Sequence, residues 1–264
     1  MGTKFYFIFL SFLACICAIA CDKGSAGVEM YTPPIMEESG SYGIIAHRGN
    51  WDASNPQNSL SAFKRALELN IYGTEMDVHQ TKDGLIVVNH DVSFYGLPIS
   101  ETTYAELCKH TLDNGETIPL FEEFLQVKKN RAGLVKMIVE LKSCKVNDLI
   151  ALVDSYDLQN EVEYISFSAN LCNEFVALGY GYKTYYLRGD VKPTEIKGRG
   201  YGGVDYYSGV FDANPSWIKE SKYIGLKTIV WTVNNMEELS CYVQQGVLVT
   251  TDRPLEALEV LKQQ

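Results

Sequence analysis

The sequence predicts an α/β fold in which a parallel sheet closes into a barrel and forms a single domain. From residue 43 onward, short apolar runs bounded by glycine and turn residues alternate with amphipathic stretches of helical period, as in successive strand-helix units. Polar side chains lie at the ends of several apolar runs, and enzymes with parallel barrels have their catalytic residues at the carboxyl ends of the strands. The 264 residues are enough for one TIM-type (β/α)8 barrel of about 250 residues.

Nine segments have the composition of buried strands, one more than this barrel requires. Either 203–207 or 85–89 must therefore be peripheral or irregular. The strand candidates are 44–46, 74–78, 85–89, 137–139, 163–167, 183–187, 203–207, 228–233 and 247–251. The helix candidates are 59–69, 120–129, 146–155, 169–178, 215–224, 236–245 and 254–261. We expect Asn58 or Ser59 to cap the first helix, Asn170 the fourth and Asn235 the sixth.

Chemistry-bearing residues share one position, the end of a predicted strand. They are two imidazoles, three carboxylates and two cations: His47, Arg48, Glu75, Asp77, His90, Glu140 and Lys142. Glu75 and Asp77 are two residues apart in a strand, so both side chains point to one face. Buried neighbouring carboxylates are costly unless a cation compensates. A salt bridge to Arg48 or Lys142 is the structural explanation, but we favour a divalent metal held by Glu75, Asp77 and Glu140.

Several motifs, in this order, resemble the glycerophosphodiester phosphodiesterase family of the PLC-like phosphodiesterase superfamily. The similarity extends from residue 43 to 260. The matching segments are His47-Arg48-Gly49, Pro56-Gln57-Asn58-Ser59, Glu75-Met76-Asp77-Val78, Thr81-Lys82-Asp83-Gly84, His90-Asp91, 118–125, Val139-Glu140-Leu141-Lys142, 165–168, 230–234 and 250–254. Several short motifs in the right order are more specific than any one of them.

The resemblance implies a phosphoric diester hydrolase that converts glycerophosphodiesters to glycerol phosphate and an alcohol. It assigns general acid and base catalysis to His47 and His90, and it makes Trp231 a wall of the substrate pocket. Arg48 and Lys142 would bind the phosphate and stabilise charge in the transition state. Because the proposed metal ligands are all carboxylates, Mg²⁺ or Ca²⁺ is the expected cofactor.

Two departures from the family pattern leave alternatives open. Gln57 stands where the family has a glutamate, and the segment 92–103 is short where an insertion usually helps to form the substrate pocket. A phospholipase C or D activity on lysophospholipids or inositol phospholipids is one alternative. A catalytically silent phosphodiester-binding lipoprotein is the other. Substrate headgroup and oligomeric state are not predicted.

The amino-terminal region predicts export. Residues 1–21 contain Lys4, an apolar stretch and small residues before Cys21, the pattern of a secretory signal. The ending Ala18-Ile19-Ala20-Cys21 resembles a bacterial lipoprotein cleavage site, which predicts an envelope protein anchored to the membrane by a lipid. Residues 22–42 are rich in Gly, Ser, Pro and acids and are expected to be a tether, followed by the barrel at 43–264.

Charge and cysteine content narrow the classes of partner. A net charge of −10 argues against nucleic acid, so the expected partner is a small or lipid-derived phosphodiester met by local cations. Cys108, Cys144, Cys172 and Cys241 fit no zinc pattern, and we expect free thiols.

Overall fold

A computed structural model describes residues 35–36, 41–131 and 133–264. The predicted signal segment 1–21 and most of the predicted tether lie outside the described residues. Within the described part of the chain, no helix is long and apolar enough to cross a membrane. The first strand of the barrel begins at Ser41.

The described elements alternate along the chain as the sequence predicts. The strands are β1 (Ile35–Met36), β2 (Ser41–Ala46), β3 (Ile71–Gln80), β4 (Ile86–Val88), β5 (Ser93–Phe94), β6 (Leu97–Pro98), β7 (Lys136–Ser143), β8 (Val162–Ser166), β9 (Thr184–Tyr186), β10 (Gly203–Tyr207), β11 (Lys227–Trp231) and β12 (Leu248–Thr251). The helices are α1 (Leu60–Ala66), α2 (Tyr104–Leu107), α3 (Phe121–Lys129), α4 (Val146–Ser155), α5 (Ala169–Ala177), α6 (Pro193–Gly198), α7 (Ser208–Ala213), α8 (Ser216–Tyr223), α9 (Met236–Gln244) and α10 (Pro254–Lys262).

Parallel pairing closes the sheet into a barrel. The strands follow one another around the ring in the order β2, β3, β7, β8, β9, β10, β11 and β12, and β12 pairs with β2. This confirms the predicted (β/α)8 barrel. The ninth strand candidate is β4, which pairs antiparallel with β3 outside the ring, so 85–89 is the peripheral one and 203–207 belongs to the barrel.

Helix caps follow the predicted chemistry with one correction. Ser59 caps α1 by accepting a hydrogen bond from the amide of Ala62, and the Asn235 side chain accepts from two amides at the start of α9. The expected cap Asn170 is wrong, because Ser168 accepts from the amide of Leu171 and Asn170 lies inside α5. The short helices α2, α6 and α7 were not predicted, since six residues or fewer show too little periodicity.

The interior of the barrel is apolar in the middle and polar at both ends. Its central layers pack residues such as Ile45, Ile138, Ile165, Ile229 and Leu248, all almost fully buried. The four cysteines outside the signal segment are free thiols, as predicted. The apolar layers separate two polar clusters, and only the one at the carboxyl ends of the strands contains the predicted site.

Candidate active site

Three predicted metal ligands converge at the carboxyl end of β3 and β7. Asp77 on β3 is the register partner of Glu140 on β7, and Glu75 precedes Asp77 by two residues on the same face. One ligand atom from each carboxylate lies within 4.8 Å of the others, and all three residues are buried. The convergence expected from strand alternation is therefore present.

Two cations contact this carboxylate cluster. Arg48 Nε lies 3.5 Å from Asp77 Oδ2, and Lys142 Nζ lies 2.7 Å from Glu140 Oε1 and 3.3 Å from Asp77 Oδ1. The salt bridges considered from the sequence are thus formed. They do not balance the cluster, because two cations face three carboxylates.

Burial shifts the protonation of the same groups. It raises the pKa of Glu75 well above its usual range, and repulsion from Asp77 and Glu140 adds to the shift. Burial and Asp77 raise the pKa of Glu140 to about 7, although Lys142 opposes this. Burial alone would lower the pKa of Lys142, but Glu140 and Asp77 raise it above its usual value. In the absence of further positive charge, the cluster favours protonated carboxyls.

A tight turn after β2 brings His47 and Arg48 to the cluster. Arg48 has a left-handed φ of 54°, and its backbone amide donates to Glu75 Oε2 at 2.9 Å. Gly49 has a φ of 91°, and a Cβ there would lie 2.8 Å from the Cβ of Ala62 on α1, so the turn requires glycine. Gln57 Oε1 accepts a hydrogen bond from Arg48 Nη1 at 2.8 Å.

His47 is held from behind by an aspartate. Its Nδ1 lies 2.7 Å from Asp252 Oδ1, and Asn234 Nδ2 donates to Asp252 Oδ2 at 2.7 Å. Burial favours protonation of Asp252, but hydrogen bonds from His47 and Asn234 outweigh it and lower the pKa of this carboxyl. An ionised Asp252 can only accept, so His47 Nδ1 carries the proton and Nε2 is left for chemistry. That Nε2 lies 4.0 Å from Glu75 Oε2.

His90 occupies a more exposed position beyond β4. Its Nδ1 lies 2.8 Å from Asp91 Oδ1, and its side chain is 42% exposed. The loop is tied to β3 by two bonds: the Asn89 amide donates to the Asp77 carbonyl at 3.0 Å, and His79 Nε2 lies 3.3 Å from the His90 carbonyl. His90 thus reaches the site from outside the ring of strands.

One cavity of about 220 Å³ joins these residues. All of the predicted site residues except Asp77 line it: His47, Arg48, Glu75, His90, Glu140, Lys142 and Trp231. Trp231 Nε1 donates to the Asp205 carbonyl at 3.0 Å, and its ring contacts Phe167 and Tyr207 with centroids 5.7 and 5.8 Å away. Trp231 therefore forms part of the wall of this cavity.

Four polar residues of the site were not singled out from the sequence for their present roles. Asn58 was considered only as a helix cap, but its side chain donates to Asp77 Oδ2 at 2.8 Å. Asn234 and Asp252 follow the ends of β11 and β12, the same position that identified His47. Asp205 lies within the predicted strand 203–207, where an acid among buried residues was a signal of the kind seen at Glu75.

The fold and the site together define a class of protein. Clustered carboxylates can bind a hard divalent cation, nearby cations can neutralise an anionic ester, and two imidazoles can move protons. These are the requirements for hydrolysis of a phosphodiester at the carboxyl end of a barrel.

Comparison with known proteins identifies the family. A model of the glycerophosphoryl diester phosphodiesterase family matches residues 47–256, most of the barrel. A glycerophosphodiester phosphodiesterase from Caldanaerobacter subterraneus is 29% identical over 248 residues, covering 83% of this chain and 97% of the relative. The chain belongs to the glycerophosphoryl diester phosphodiesterase family and is an enzyme of the phosphodiesterase class.

Solved structures agree with this assignment. A glycerophosphodiester phosphodiesterase from Parabacteroides distasonis superposes with a TM-score of 0.79 at 34% identity, covering 84% of this chain and 98% of the other. A phosphodiesterase from Oleispira antarctica, solved in complex with the product sn-glycerol-3-phosphate, superposes with a TM-score of 0.69 at 22% identity, covering 83% and 96%. The second likeness supports the fold alone.

Proposed function

We propose that this enzyme hydrolyses glycerophosphodiesters to glycerol phosphate and an alcohol, with a divalent cation and with His47 and His90 as the proton-transfer groups. The observation that carries the proposal is the convergence of Glu75, Asp77 and Glu140, two of which, Glu75 and Glu140, line the same cavity as both histidines. The small-molecule phosphodiester substrate agrees with the family and with the product bound in the Oleispira antarctica neighbour.

The chain's own residues fit a divalent cation. Three buried carboxylates share two cations, and the raised pKa values of Glu75 and Glu140 indicate a deficit of positive charge. Carboxylate ligands favour Mg²⁺ or Ca²⁺. Such an ion would neutralise nonbridging phosphate oxygens when bound.

The two histidines have different surroundings, which supports different roles. Because Nδ1 of His47 donates to Asp252, the neutral ring presents Nε2 to the cavity as an acceptor, so His47 suits the general base that activates the nucleophile. His90 lines the same cavity with a side chain that is 42% exposed, so it suits the general acid that protonates the leaving alcohol. Arg48 and Lys142 line the cavity between them and stabilise negative charge on the phosphate.

A lysophospholipid is the second candidate substrate, and one observation favours it. Phe167 lines the pocket beside Trp231, Tyr207 packs against the Trp231 ring, and the two are 41% and 54% exposed. Exposed aromatic rings at a site can pack against an acyl chain. A lysophospholipid would place its phosphate in the cavity and its acyl chain against these rings.

Turnover of matched substrates tests the proposal. The purified barrel should release alcohol and glycerol phosphate from glycerophosphocholine or glycerophosphoethanolamine. A panel that adds lysophosphatidylcholine and an inositol phospholipid separates the candidate substrates. The same panel distinguishes a silent binding protein, which would bind glycerol phosphate and release no alcohol.

Substitution of each histidine tests the assigned roles. His47→Ala and His90→Ala should each reduce turnover by about 100-fold or more, with the fold and metal affinity unchanged. His110, which stacks on Tyr95 away from the cavity, offers a matched control, because His110→Ala should keep normal turnover. Near-normal activity of either site variant would remove that histidine from the mechanism.

For location, we propose an exported envelope protein anchored through a lipid on Cys21. The proposal rests on the signal-like composition of residues 1–21 and the small residues before Cys21. Fractionation of cells that express the full chain should place it with membranes, and Cys21→Ser should release it to the soluble exported fraction. Recovery of the unsubstituted protein in the soluble fraction would contradict the anchor.

A further inference from the structure

Asp205 is a fourth carboxyl residue in the active-site cavity, and it stands apart from the metal cluster. It lies on β10, and three strands separate β10 from β3 in either direction around the ring, so Asp205 faces Glu75 and Asp77 across the barrel. Asp205 lines the same cavity as Glu75 and Glu140 but is not part of the converging carboxylate group.

Among the described residues, none makes a hydrogen bond that explains the burial of the Asp205 carboxyl oxygen Oδ1. The residue is 1% exposed, and its Oδ1 is buried without a hydrogen bond. Its charged neighbour is another carboxylate, Glu140, and burial together with this neighbour raises the pKa of Asp205 well above its usual range. A buried polar group without a hydrogen bond destabilises a fold. Its presence in the wall of a cavity therefore points to a ligand that supplies the missing hydrogen bond.

The size of the cavity limits what that ligand is. Pockets for drug-sized molecules span about 300–1,000 Å³, whereas this cavity is about 220 Å³. A cavity of this size suits one half of a small phosphodiester, such as its glycerol phosphate portion, rather than a drug-sized ligand as a whole. With the phosphate near Arg48 and Lys142, the glycerol chain extends toward the opposite wall, where Asp205 lies.

We propose that Asp205 is a specificity-determining residue that hydrogen-bonds the glycerol hydroxyl farthest from phosphorus. The inference rests on the proposed glycerophosphodiester activity and identifies the group that recognises glycerol. A carboxyl group can accept from this hydroxyl when ionised and can also donate to it when protonated, so the contact does not depend on its protonation state. Substrates that lack the terminal hydroxymethyl group leave Asp205 unpaired and are disfavoured.

Two esters with the same leaving alcohol test this assignment. Glycerophosphocholine contains the terminal hydroxymethyl group, and the choline ester of 2-hydroxyethyl phosphate lacks it but keeps the hydroxyl next to the ester. Both esters carry the same choline, so any contact between Asp205 and the leaving alcohol affects the two substrates equally. Wild-type enzyme should prefer the glycerol ester, and Asp205→Ala should lower kcat/KM for that ester about 10- to 100-fold, mainly through KM. The same variant should change kcat/KM for the hydroxyethyl ester by less than about threefold.

Two further variants separate recognition from folding. Asp205→Leu fills the volume without a polar group and should fold at least as stably as wild type, yet lose the preference for glycerol. Asp205→Asn keeps hydrogen-bonding capacity and should retain part of the preference. Thr228→Ala is the matched control, because Thr228 is a buried residue on the neighbouring strand with an unpartnered hydroxyl but does not line this cavity.

Calorimetric binding of sn-glycerol 3-phosphate and 2-hydroxyethyl phosphate, with Mg²⁺ present, makes the test independent of turnover. Selective loss of glycerol phosphate affinity in Asp205→Leu supports the assignment, even if the wild type hydrolysed neither ester and the proposed activity failed. Equal losses for both ligands, or unchanged affinity for both, would overturn it.

Discussion

His47 and His90 each contact an aspartate through Nδ1, but the two aspartates have different environments. The Asp252 side chain is 25% exposed and bonded to Asn234, whereas that of Asp91 is 77% exposed. Solvent screens the exposed pair, so only the inner pair can fix a tautomer and stabilise an imidazolium strongly. The function of His47 therefore depends on a partner, Asp252, that lies outside the His47-Arg48-Gly49 motif.

Paired substitutions test this difference at the residue scale. Asp252→Asn should lower kcat by about tenfold or more, because the amide no longer supplies a charge that stabilises protonated His47. Asp91→Asn, the matched control at 2.8 Å from His90, should change kcat by less than about threefold. Measurement of kcat against pH distinguishes the two, and equal effects of both substitutions would show that Asp252 has no special role.

Gln57 explains how the chain departs from its family without losing its site. Its side-chain oxygen accepts from Arg48 at 2.8 Å and is not among the three converging carboxylates. An amide keeps this hydrogen bond, although it gives up a charge-assisted one. The replacement of the family's glutamate by Gln57 therefore affects a hydrogen bond to Arg48 and leaves the three converging carboxylates unchanged.

Accordingly, Gln57→Glu should change kcat/KM for a glycerophosphodiester by less than about tenfold, a difference of at most roughly 1.4 kcal/mol in barrier. Steady-state kinetics of the two proteins at matched metal concentration provide the measurement. Activity that emerged only in Gln57→Glu would instead favour a natural protein that binds phosphodiesters without hydrolysing them.

At the scale of elements, strand alternation made most of the site predictable. Glu75 and Asp77 share a face because side chains repeat every two residues, and parallel pairing places Asp77 beside Glu140. The same rule could not identify Asp205 as a site residue, because a single acid in a strand does not show whether its carboxyl group has a hydrogen-bond partner. Short helices, and the choice of Ser168 over Asn170 as a cap, depend on backbone geometry that residue patterns leave open.

The two ends of the barrel offer a matched pair of carboxylates for testing the metal site. Glu140 lies toward the carboxyl end of β7, whereas Glu163 lies near the start of β8, at the opposite end of the barrel. Glu163 forms an ion pair with Lys227 at 2.7 Å and accepts a hydrogen bond from the Tyr72 hydroxyl at 2.7 Å. Glu140→Gln should weaken Mg²⁺ binding about tenfold or more by removing a charged ligand. Glu163→Gln should leave the affinity unchanged. Calorimetric titration of each variant with Mg²⁺ measures the affinity. Equal losses of affinity in the two variants would show that the metal binds elsewhere.

For the whole molecule, the buried acid cluster links stability to pH. Glu140 has an ordinary pKa of 4.5 and a folded pKa of about 7, so between these pH values the native state holds a proton that the unfolded chain releases. The native state then binds more protons, and the free energy of unfolding falls as pH rises across this window. Ionisation of Glu140 near neutral pH therefore lowers the free energy of unfolding of the metal-free protein.

A divalent cation should reverse this effect where the carboxyls are ionised. We expect Mg²⁺ or Ca²⁺ to raise the melting temperature more at pH 8 than at pH 5, because protons compete with the metal at the lower pH. Thermal unfolding with and without metal at both pH values provides the comparison, and Glu140→Gln should reduce the gain. An equal rise at both pH values would contradict linkage through these carboxyls.

Removal and return of the metal during hydrolysis tests the central claim most directly. Enzyme stripped with chelator and assayed on glycerophosphocholine should release choline at a small fraction of its normal rate, and added Mg²⁺ or Ca²⁺ should restore that rate in wild type and Glu163→Gln but not in Glu140→Gln. Hydrolysis at an undiminished rate after complete removal of metal would contradict the account.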